Sequence, residues 1–351
     1  MIKLSAFEYE NKLKNPQNLF KNTFKNKSFI HGKKLTEFEE KFSKYCKAKE
    51  CAGVSSGTSA LQLSLLALGI GPGDEVITVP YTWVSTAECI KQVGAKLVFI
   101  DINPHDFCIN LVDINEKINK KTKAIIGVDL YGNVCDIDSL KEFGVPVIED
   151  AAQSAGALYK RKRVGGIADL TCFSFYPTKN LSCWGDAGAV TGSSELIKKI
   201  KILRNHGQTN KFNIQTVGWN ARMDTIQAEI LLNKLPYLDK WNNRRREIAK
   251  IYDKELDDLV EIPTENKESR HVYHQYVILH DIKDLELKLK KQGIQSRKYY
   301  PVPLNKFNAY KDNDEYLHSE YCGRYGLAIP VHQYLTNKEV KTIIKAIKDS
   351  V

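Results

Sequence analysis

Segments with strand character alternate with segments of helical period from about residue 35 to about residue 205, and this alternation limits the possible folds more than any other feature. Apolar runs typical of buried strands occupy 75–79, 96–100, 123–128, 145–149 and 171–175. Helical patterns lie between them near 83–93, 112–119 and 136–142. Such alternation is typical of a mostly parallel sheet covered by helices. The sequence therefore predicts an α/β fold.

The pattern changes after residue 205. Pro236 separates an amphipathic helix at 222–235 from a long charged helix at 237–256. Beyond them we predict strands at 274–279 and 295–300 and helices at 283–292, 313–322 and 336–349. We expect a large domain, 1–236, which includes the N-terminal segment, and a small C-terminal α/β domain, 237–351.

Composition indicates an ordinary globular protein. The chain has 351 residues, 42% of them apolar, which is enough to fill two cores. No apolar run reaches the length of a membrane span, and the N-terminal residues lack the apolar core of a signal peptide, so we expect a cytoplasmic protein without membrane contact. The net charge of +10 comes from lysines spread over helices, which disfavours nucleic acid as a partner.

Eight cysteines are scattered through the chain, mostly in apolar stretches, and none forms a C-x-x-C pair. This pattern predicts buried free thiols in a reducing compartment. We expect no disulfide and no metal site.

Lys179 follows the apolar and aromatic run LTCFSF (170–175), and Asp150 follows the predicted strand at 145–149. Burial favours the neutral, nucleophilic form of an amine. Pyridoxal phosphate (PLP) needs these two groups, an amine for its aldehyde and a carboxylate for its ring nitrogen. Each residue alone has a simpler interpretation, a solvated surface lysine and a cap for a helix that begins at Ala151.

Helix starts are marked by side chains that accept backbone N–H groups. Thr36 with Glu39 and Thr336 with Glu339 have the spacing of a capping box. The stretch SGTSA (56–60) places small residues and hydroxyls where a strand turns into a helix. Such a helix start favours a phosphate, but plain N-capping explains this segment equally well.

Trp83 follows the strand that ends at residue 79, at the edge where open α/β sheets bind ligands. It either stacks on an aromatic ligand ring or packs in the core. Gln153 lies three residues after Asp150 and would face the same ligand if a helix began there. The glycine cluster GIGPGD (69–74) suggests a dinucleotide site, but the third glycine of G-x-G-x-x-G would fall at Asp74, and the cluster precedes its strand. A nicotinamide oxidoreductase is therefore disfavoured.

A family resemblance rests on a set of ordered motifs. They are GTSAL (57–61), GPGDEVI (71–77), LYG (130–132), EDAAQ (149–153), SFYPTKNL (174–181), GDAGA (185–189) and NARMD (220–224). Together they resemble the DegT/DnrJ/EryC1/StrS family of sugar-nucleotide aminotransferases over nearly the whole chain. The resemblance implies a fold-type I PLP enzyme that acts as an obligate homodimer with shared active sites.

The resemblance also implies roles for particular residues. Lys179 would hold the PLP aldehyde as an imine and move the proton during catalysis, while Asp150 would bind the ring nitrogen. Trp83 would stack on the ring, and Gln153 would touch its 3-hydroxyl side.

Further implied contacts concern the phosphate and the substrates. The phosphate would be held by the helix start at Gly57, the Thr58 and Ser59 amides and the Ser174 hydroxyl, with Asn220 arriving from the partner subunit. Arg222 is a candidate for the carboxylate of the amino donor, although ordinary salt bridging is an equal alternative. Tyr176 is a second candidate substrate contact. We interpret His206, His274 and His332 as structural.

The implied reaction is a transamination. Glutamate would convert PLP to pyridoxamine phosphate (PMP), and the amine would pass to a ketone on a nucleotide-linked sugar. A related branch dehydrates and has histidine in place of the lysine, so Lys179 favours transamination. Several stretches most resemble enzymes that make 3-amino-3,6-dideoxyhexoses on dTDP, for surface polysaccharide such as lipopolysaccharide.

Other acceptors stay open. The chain has Tyr299, Tyr300 and Pro301 where many relatives have His-Tyr-Pro, and the following run VPLNK (302–306) is closer to enzymes that aminate UDP-3-keto-hexuronic acids. A 4-keto-6-deoxy sugar nucleotide is a further alternative. A non-catalytic regulator that binds PLP is a remote one, because Lys179 and Asp150 are both present.

Overall fold

The structure is a computed structural model and describes residues 1–12 and 21–350. Residues 13–20, part of the N-terminal segment assigned to the large domain, lie outside the described residues. The strands are β1 Glu50–Val54, β2 Glu75–Thr78, β3 Lys96–Phe99, β4 Thr122–Val128, β5 Val147–Asp150, β6 Leu158–Tyr159, β7 Lys162–Arg163, β8 Leu170–Ser174, β9 Gly188–Gly192, β10 Gln208–Asn210, β11 Asn213–Ile214, β12 Ser269–Arg270, β13 Tyr276–Leu279 and β14 Gly326–Ile329.

The helices complete the chain. They are α1 Lys21–Asn26, α2 Lys33–Cys46, α3 Gly57–Ala67, α4 Ser85–Gln92, α5 Leu111–Lys117, α6 Ile137–Glu142, α7 Ser194–Leu203, α8 Thr225–Lys234, α9 Leu238–Leu256, α10 Leu285–Lys291, α11 Leu317–Tyr325 and α12 Asn337–Lys348. Short 3-10 helices lie at Ala6–Lys12, Leu130–Gly132, Leu235–Tyr237 and Leu304–Lys306.

The large sheet has seven strands in the order β1-β9-β8-β5-β4-β2-β3. Strands β3, β2, β4, β5 and β8 are parallel, and β9 runs antiparallel to both β8 and β1. The prediction of a mostly parallel sheet is confirmed. The sequence analysis did not assign β9, because its sequence GAVTG carries glycine at both ends and glycine is rare in strands.

Alternate residues of the central strands enter two different cores. Ile77, Ile125 and Phe173 pack on the face covered by α2 and α8, whereas Val76, Ile126 and Cys172 pack on the face covered by α3, α4 and α7. This arrangement follows from the two-residue period of a strand. Helices on both faces leave the carboxyl edge of the parallel strands as the open side of the sheet.

The C-terminal part has a core of its own around the antiparallel pair β13 and β14. Helices α9, α10 and α12 contribute apolar residues to this core. The predicted break at Pro236 is confirmed, because the 3-10 helix that contains it separates α8 from α9. The capping box of α12 is also confirmed: the Glu339 amide donates to Thr336 Oγ1 at 3.2 Å, and the Thr336 amide donates to Glu339 Oε2 at 2.8 Å.

Three local predictions are wrong. Helix α2 begins at Lys33 after the cap residue Gly32, not at Thr36, and Glu39 is a buried acceptor for the Gly53 amide at 2.8 Å. The stretch 295–300 is not a strand and forms only an isolated bridge, between Arg297 and Ala328. Helix α11 begins at Leu317 rather than near 313, because Asp101 accepts the amides of its first turn.

Two general features complete the description. All eight cysteines are buried free thiols. None of the helices described here combines the length and the apolar character needed to cross a lipid bilayer.

Candidate active site

Asp150 and Lys179 lie at the carboxyl edge of the large sheet. Asp150 is the last residue of β5, and Lys179 is in the loop that follows the adjacent parallel strand β8. Burial lowers the pKa of the Lys179 amine to about 8, and the negative charge of Asp150 opposes this shift. With this pKa about a tenth of the amine is neutral at pH 7 and about half at pH 8, and the neutral form is the nucleophile.

The Asp150 carboxylate is fixed by two donors. Thr86 Oγ1 donates to Asp150 Oδ2 at 2.8 Å, and the Ala152 amide donates to Oδ1 at 3.2 Å. Burial raises the pKa of Asp150, while Thr86, the Ala152 amide and Lys179 lower it. A cationic group beside this carboxylate would stabilise its ionised form, which is the setting that a protonated ring nitrogen needs.

No helix begins at Ala151, and Gln153 lies instead in a turn. Its Oε1 atom accepts the Tyr131 amide at 2.7 Å, and its Nε2 atom donates to the Tyr300 hydroxyl at 3.0 Å. Tyr131 and Tyr300 both have a φ of 59°, which a non-glycine residue adopts only when its surroundings hold it there. Gln153 thus joins the Asp150 turn to the segment that carries Tyr300.

The start of α3 approaches the end of β8 closely. A Cβ atom on Gly57 would lie 2.9 Å from Ser174 Cβ, so only glycine fits at this point. The Ser59 amide donates to Ser56 Oγ at 3.0 Å, which confirms Ser56 as the N-cap. The amides of Gly57 and Thr58, in the first turn of the helix, have no intrahelical acceptor and can bind a phosphate.

Trp83 and Tyr176 are exposed aromatic side chains at the same edge. Trp83 is 62% exposed, which excludes packing in the core as its role. Tyr176, shortly after β8, is 49% exposed. Their faces are available to a ligand that lies over the sheet edge.

Asn220 and Arg222 lie in the segment that pairs with the end of β1. The Ser55 amide donates to the Ala221 carbonyl at 2.9 Å, which places this segment beside the start of α3. Asn220 is exposed. Arg222 Nη1 donates to Asn205 Oδ1 at 3.0 Å.

The edge fits PLP in three respects. The buried Lys179 amine lies within electrostatic range of the Asp150 carboxylate, the start of α3 adjoins the Ser174 side chain, and the Trp83 side chain is exposed at the same edge. These are the groups that an aldehyde, a ring nitrogen, a phosphate and a planar ring require.

Comparison with known proteins identifies the family. The model of the DegT/DnrJ/EryC1/StrS aminotransferase family matches residues 11–348. The chain belongs to this family. Matching structures include forms with bound PLP and with bound PMP, and the enzyme is accordingly a PLP-dependent aminotransferase.

Relatives of this aminotransferase act on different sugar nucleotides. It is 38% identical to the UDP-2-acetamido-2-deoxy-3-oxo-D-glucuronate aminotransferase of Pseudomonas aeruginosa, with 91% of each chain covered. It is 37% identical to the dTDP-3-amino-3,6-dideoxy-alpha-D-galactopyranose transaminase of Aneurinibacillus thermoaerophilus, over 91% of this chain and 90% of the relative. The crystal structure of Streptomyces venezuelae DesV with a ketimine intermediate matches with a TM-score of 0.96 and 32% identity, over 99% of this chain and 98% of that one.

Sequence reasoning missed a buried polar cluster in this aminotransferase behind Lys179. Asn180 Nδ2 donates to Asn242 Oδ1 at 2.9 Å and to the Val272 carbonyl at 3.1 Å, and His274 Nδ1 lies 3.3 Å from Asn180 Oδ1. Burial lowers the pKa of His274 well below its ordinary value, so the ring is neutral. His274 therefore supports the lysine loop, as a structural histidine would, and only the adjacency of Asn180 to Lys179 signalled this cluster in the sequence.

The other two histidines differ in setting. His332 Nε2 lies 3.1 Å from the Lys3 carbonyl and connects the C-terminal core to the N-terminal segment. His206 is exposed.

Proposed function

We propose that this enzyme transfers the amino group of L-glutamate to C3 of a keto sugar nucleotide. The leading acceptor is a dTDP-3-keto-6-deoxyhexose, which gives a dTDP-3-amino-3,6-dideoxyhexose for surface polysaccharide such as lipopolysaccharide. The observation that carries the proposal is the desolvated Lys179 amine beside the buried Asp150 carboxylate, in a chain whose relatives by name include a dTDP-3-amino-sugar transaminase.

Each side chain of the edge has a defined task in this reaction. Bound PLP supplies the aldehyde that takes up the amino group and the ring that withdraws electrons. Lys179, as a neutral amine, would hold PLP through its aldehyde, and the same amine would carry the proton that transamination moves. Asp150 stabilises a positive ring nitrogen, and the strained, hydrogen-bonded turn around Gln153 fixes its position.

The remaining assigned residues orient the ligands. The helix start at Gly57, the Thr58 amide and the Ser174 hydroxyl would hold the phosphate. The Ser59 amide, which the sequence analysis also assigned to the phosphate, donates instead to Ser56 Oγ at 3.0 Å. Trp83 covers one face of the ring. Arg222 and Tyr176 are assigned to the substrates, and a guanidinium matches a carboxylate in two-point fashion.

The active enzyme is proposed to be a homodimer in which Asn220 reaches the partner's phosphate site. Three apolar residues in the hairpin β10–β11 and the segment after it are strongly exposed: Phe212 is 90% exposed, Ile214 67% and Val217 80%. The same segment leads directly to Asn220. Apolar side chains exposed together on one segment are typical of an interaction surface.

A UDP-3-keto-hexuronic acid is the second candidate acceptor. The run VPLNK (302–306) and the 38% identity to the Pseudomonas relative favour it. The two acceptors share a ketone at C3 and differ in the nucleotide base and at C6.

Spectroscopy and product analysis test the proposal together. The purified protein should be yellow, lose the colour with glutamate and regain it with the correct keto sugar nucleotide. A panel of dTDP, UDP and GDP keto sugars, with products identified by mass spectrometry and NMR, assigns the nucleotide and the aminated carbon. A protein that stays colourless with added PLP, or amination at C4 alone, would contradict the proposal.

A further inference from the structure

Asn242 lies on the buried face of helix α9 and is 4% exposed. Its Oδ1 atom accepts a hydrogen bond from Asn180 Nδ2 at 2.9 Å, and its Nδ2 atom donates to the Ala155 carbonyl at 3.0 Å. One side-chain amide therefore joins two separate loops of the large sheet. We call this pair of contacts the amide bridge.

The two joined loops carry the two groups assigned to the cofactor. Asn180 is the residue directly after Lys179. Ala155 lies in the turns that follow Asp150 at the end of β5. The amide bridge thus connects the loop of the amine to the turn of the carboxylate.

Backbone carbonyls fix the direction of each bond in the bridge, because a carbonyl can only accept. Asn242 must turn its nitrogen to the Ala155 carbonyl, and Asn180 must turn its nitrogen to the Val272 carbonyl at 3.1 Å. The Asn180 oxygen, 3.3 Å from His274 Nδ1, then accepts from the neutral ring of His274. Both amides therefore have a single orientation.

The backbone at Gly156 passes directly against the bridge. Its φ is 87°, in the left-handed region that favours glycine. A Cβ atom here would lie 2.6 Å from Asn242 Nδ2 and 2.7 Å from the Tyr45 hydroxyl of α2. Only glycine allows the turn to approach α9 closely enough for the Ala155 bond.

Helix α9 is anchored on both sides of Asn242. Three residues before it, Asp239 forms an ion pair with Arg163 at 2.7 Å. Three residues after it, the buried Arg245 donates to the Tyr273 carbonyl at 3.1 Å. The Asn242 side chain therefore projects from a firmly held part of the helix.

The bridge lies close to the Lys179 amine as well as to its backbone. Burial lowers the pKa of His274, and the positive charges of Lys179 and Arg245 lower it further. The amine is thus within electrostatic range of the ring that bonds Asn180. If the loop were loosened, water would reach the amine and raise its pKa towards that of an ordinary lysine.

We propose that Asn242 is a positioning residue that sets the separation between the Lys179 amine and the Asp150 carboxylate. It acts through Asn180 on one side and the Ala155 carbonyl on the other. The inference rests on the proposed function, since it needs Lys179 and Asp150 to bind the cofactor. An asparagine with a structural role alone would stabilise the fold and leave the amine unaffected.

The pH dependence of PLP capture by the apoenzyme tests the proposal. Asn242→Ala removes the bridge, and Asn242→Leu removes it while filling most of the same volume. Both should move the midpoint of the rate curve up from about 8, by about one pH unit, which lowers the rate constant at pH 7 about 10-fold. Tyr252→Phe is the matched control, because it deletes a buried hydrogen bond on the same helix and should leave the midpoint unchanged.

A second measurement follows the same ionisation without the cofactor. Labelling of the apoenzyme with an amine reagent, with Lys179 followed by mass spectrometry, should show the same shift in both Asn242 variants. A folded variant whose midpoint equals that of Tyr252→Phe would overturn the positioning role, and so would a failure of both Asn242 variants to fold, which would assign the residue to stability alone. If borohydride reduction and peptide mapping showed that the wild type does not bind PLP through Lys179, the proposed function would fail instead.

Discussion

The carboxyl edge of the large sheet and the groove lined by residues 1–8, Thr178 and 294–299 are built differently. The edge is formed by residues at strand ends and helix starts, held by short-range bonds such as Ser59 to Ser56 and Ala152 to Asp150 and by the longer-range bond from Thr86 to Asp150. The groove joins segments far apart in the chain, residues 1–8, Thr178 and 294–299. The residues assigned to the cofactor therefore stand largely in local motifs, whereas the groove depends on segments that meet only in the folded chain.

Lys179→Ala should have the largest effect, a loss of at least about 1,000-fold in kcat, because both the aldehyde anchor and the proton carrier are removed. Stopped-flow and steady-state assays should show that the donor and acceptor half-reactions fail together. Lys198→Ala on the exposed face of α7 is the control and should be silent. Appreciable turnover in the Lys179 variant would contradict the assignment of the cofactor chemistry to the sheet edge.

Asp150→Asn should lower kcat by about 100- to 1,000-fold, because a neutral amide no longer stabilises a positive ring nitrogen. Asparagine keeps the size of the side chain and can still accept from Thr86, so the melting temperature should stay within a few degrees. The donor half-reaction should slow in parallel with kcat. A variant that impaired only the acceptor half would contradict the assignment of Asp150 to the cofactor.

The capture of PLP by the apoenzyme should depend on pH. Lys179 has a lowered pKa of about 8, so its neutral fraction rises with pH through that value. The rate constant for cofactor binding should increase by about 10-fold between pH 7 and pH 9 and then level off. If the rate of cofactor binding rose only towards pH 10.5, the Lys179 amine would have the pKa of a solvent-exposed lysine, and its burial would be contradicted.

Trp83→Ala should weaken PLP binding by about 5-fold, because ring stacking contributes roughly 1 kcal/mol beyond burial. Since Trp83 is exposed, the free energy of unfolding of the apoenzyme should hardly change. Fluorescence titration with PLP measures the first effect and chemical denaturation the second. A large loss of stability would indicate that the indole packs against protein.

Tyr300→Phe should have the smallest effect on activity. It removes the hydroxyl that joins the Gln153 turn to residues 299–301, a contact called the junction below. Loss of the hydroxyl leaves Gln153 Nε2 without this acceptor, which should cost about 1 kcal/mol of stability and lower kcat/KM for the acceptor about 3-fold. Tyr252→Phe is the matched control, because its buried hydroxyl donates to the Pro330 carbonyl at 2.8 Å far from the edge. Tyr252→Phe should lower the free energy of unfolding by a similar amount and leave kcat/KM for the acceptor unchanged.

Much of the edge could be predicted because its residues stand in contiguous motifs. Lys179, Asp150 and Gly57 lie where strand ends must converge, and the parallel sheet follows from strand and helix alternation. The start of α2 was misplaced because a glycine, not the threonine of a capping box, precedes it. The roles assigned to individual site residues and the division at residue 236 stay predictions.

The junction and the groove could not be predicted from the sequence. Tyr300 meets Gln153 across 147 positions, and no periodicity encodes such a contact. The stretch 295–300 was taken for a strand because its residues suit one, yet it bridges only at Arg297. Gln295, Ser296, Arg297 and Tyr299 line one cavity instead, and Lys298 lines another.

Gln153 is two residues removed from Ala151 and bonds the Tyr300 hydroxyl directly. This amide ties the Asp150 turn to residues 299–301, which Tyr81 also holds through the Tyr299 carbonyl. The loaded and empty enzymes should thus differ in how firmly that stretch is anchored, and a protease would cleave it sooner in the empty form.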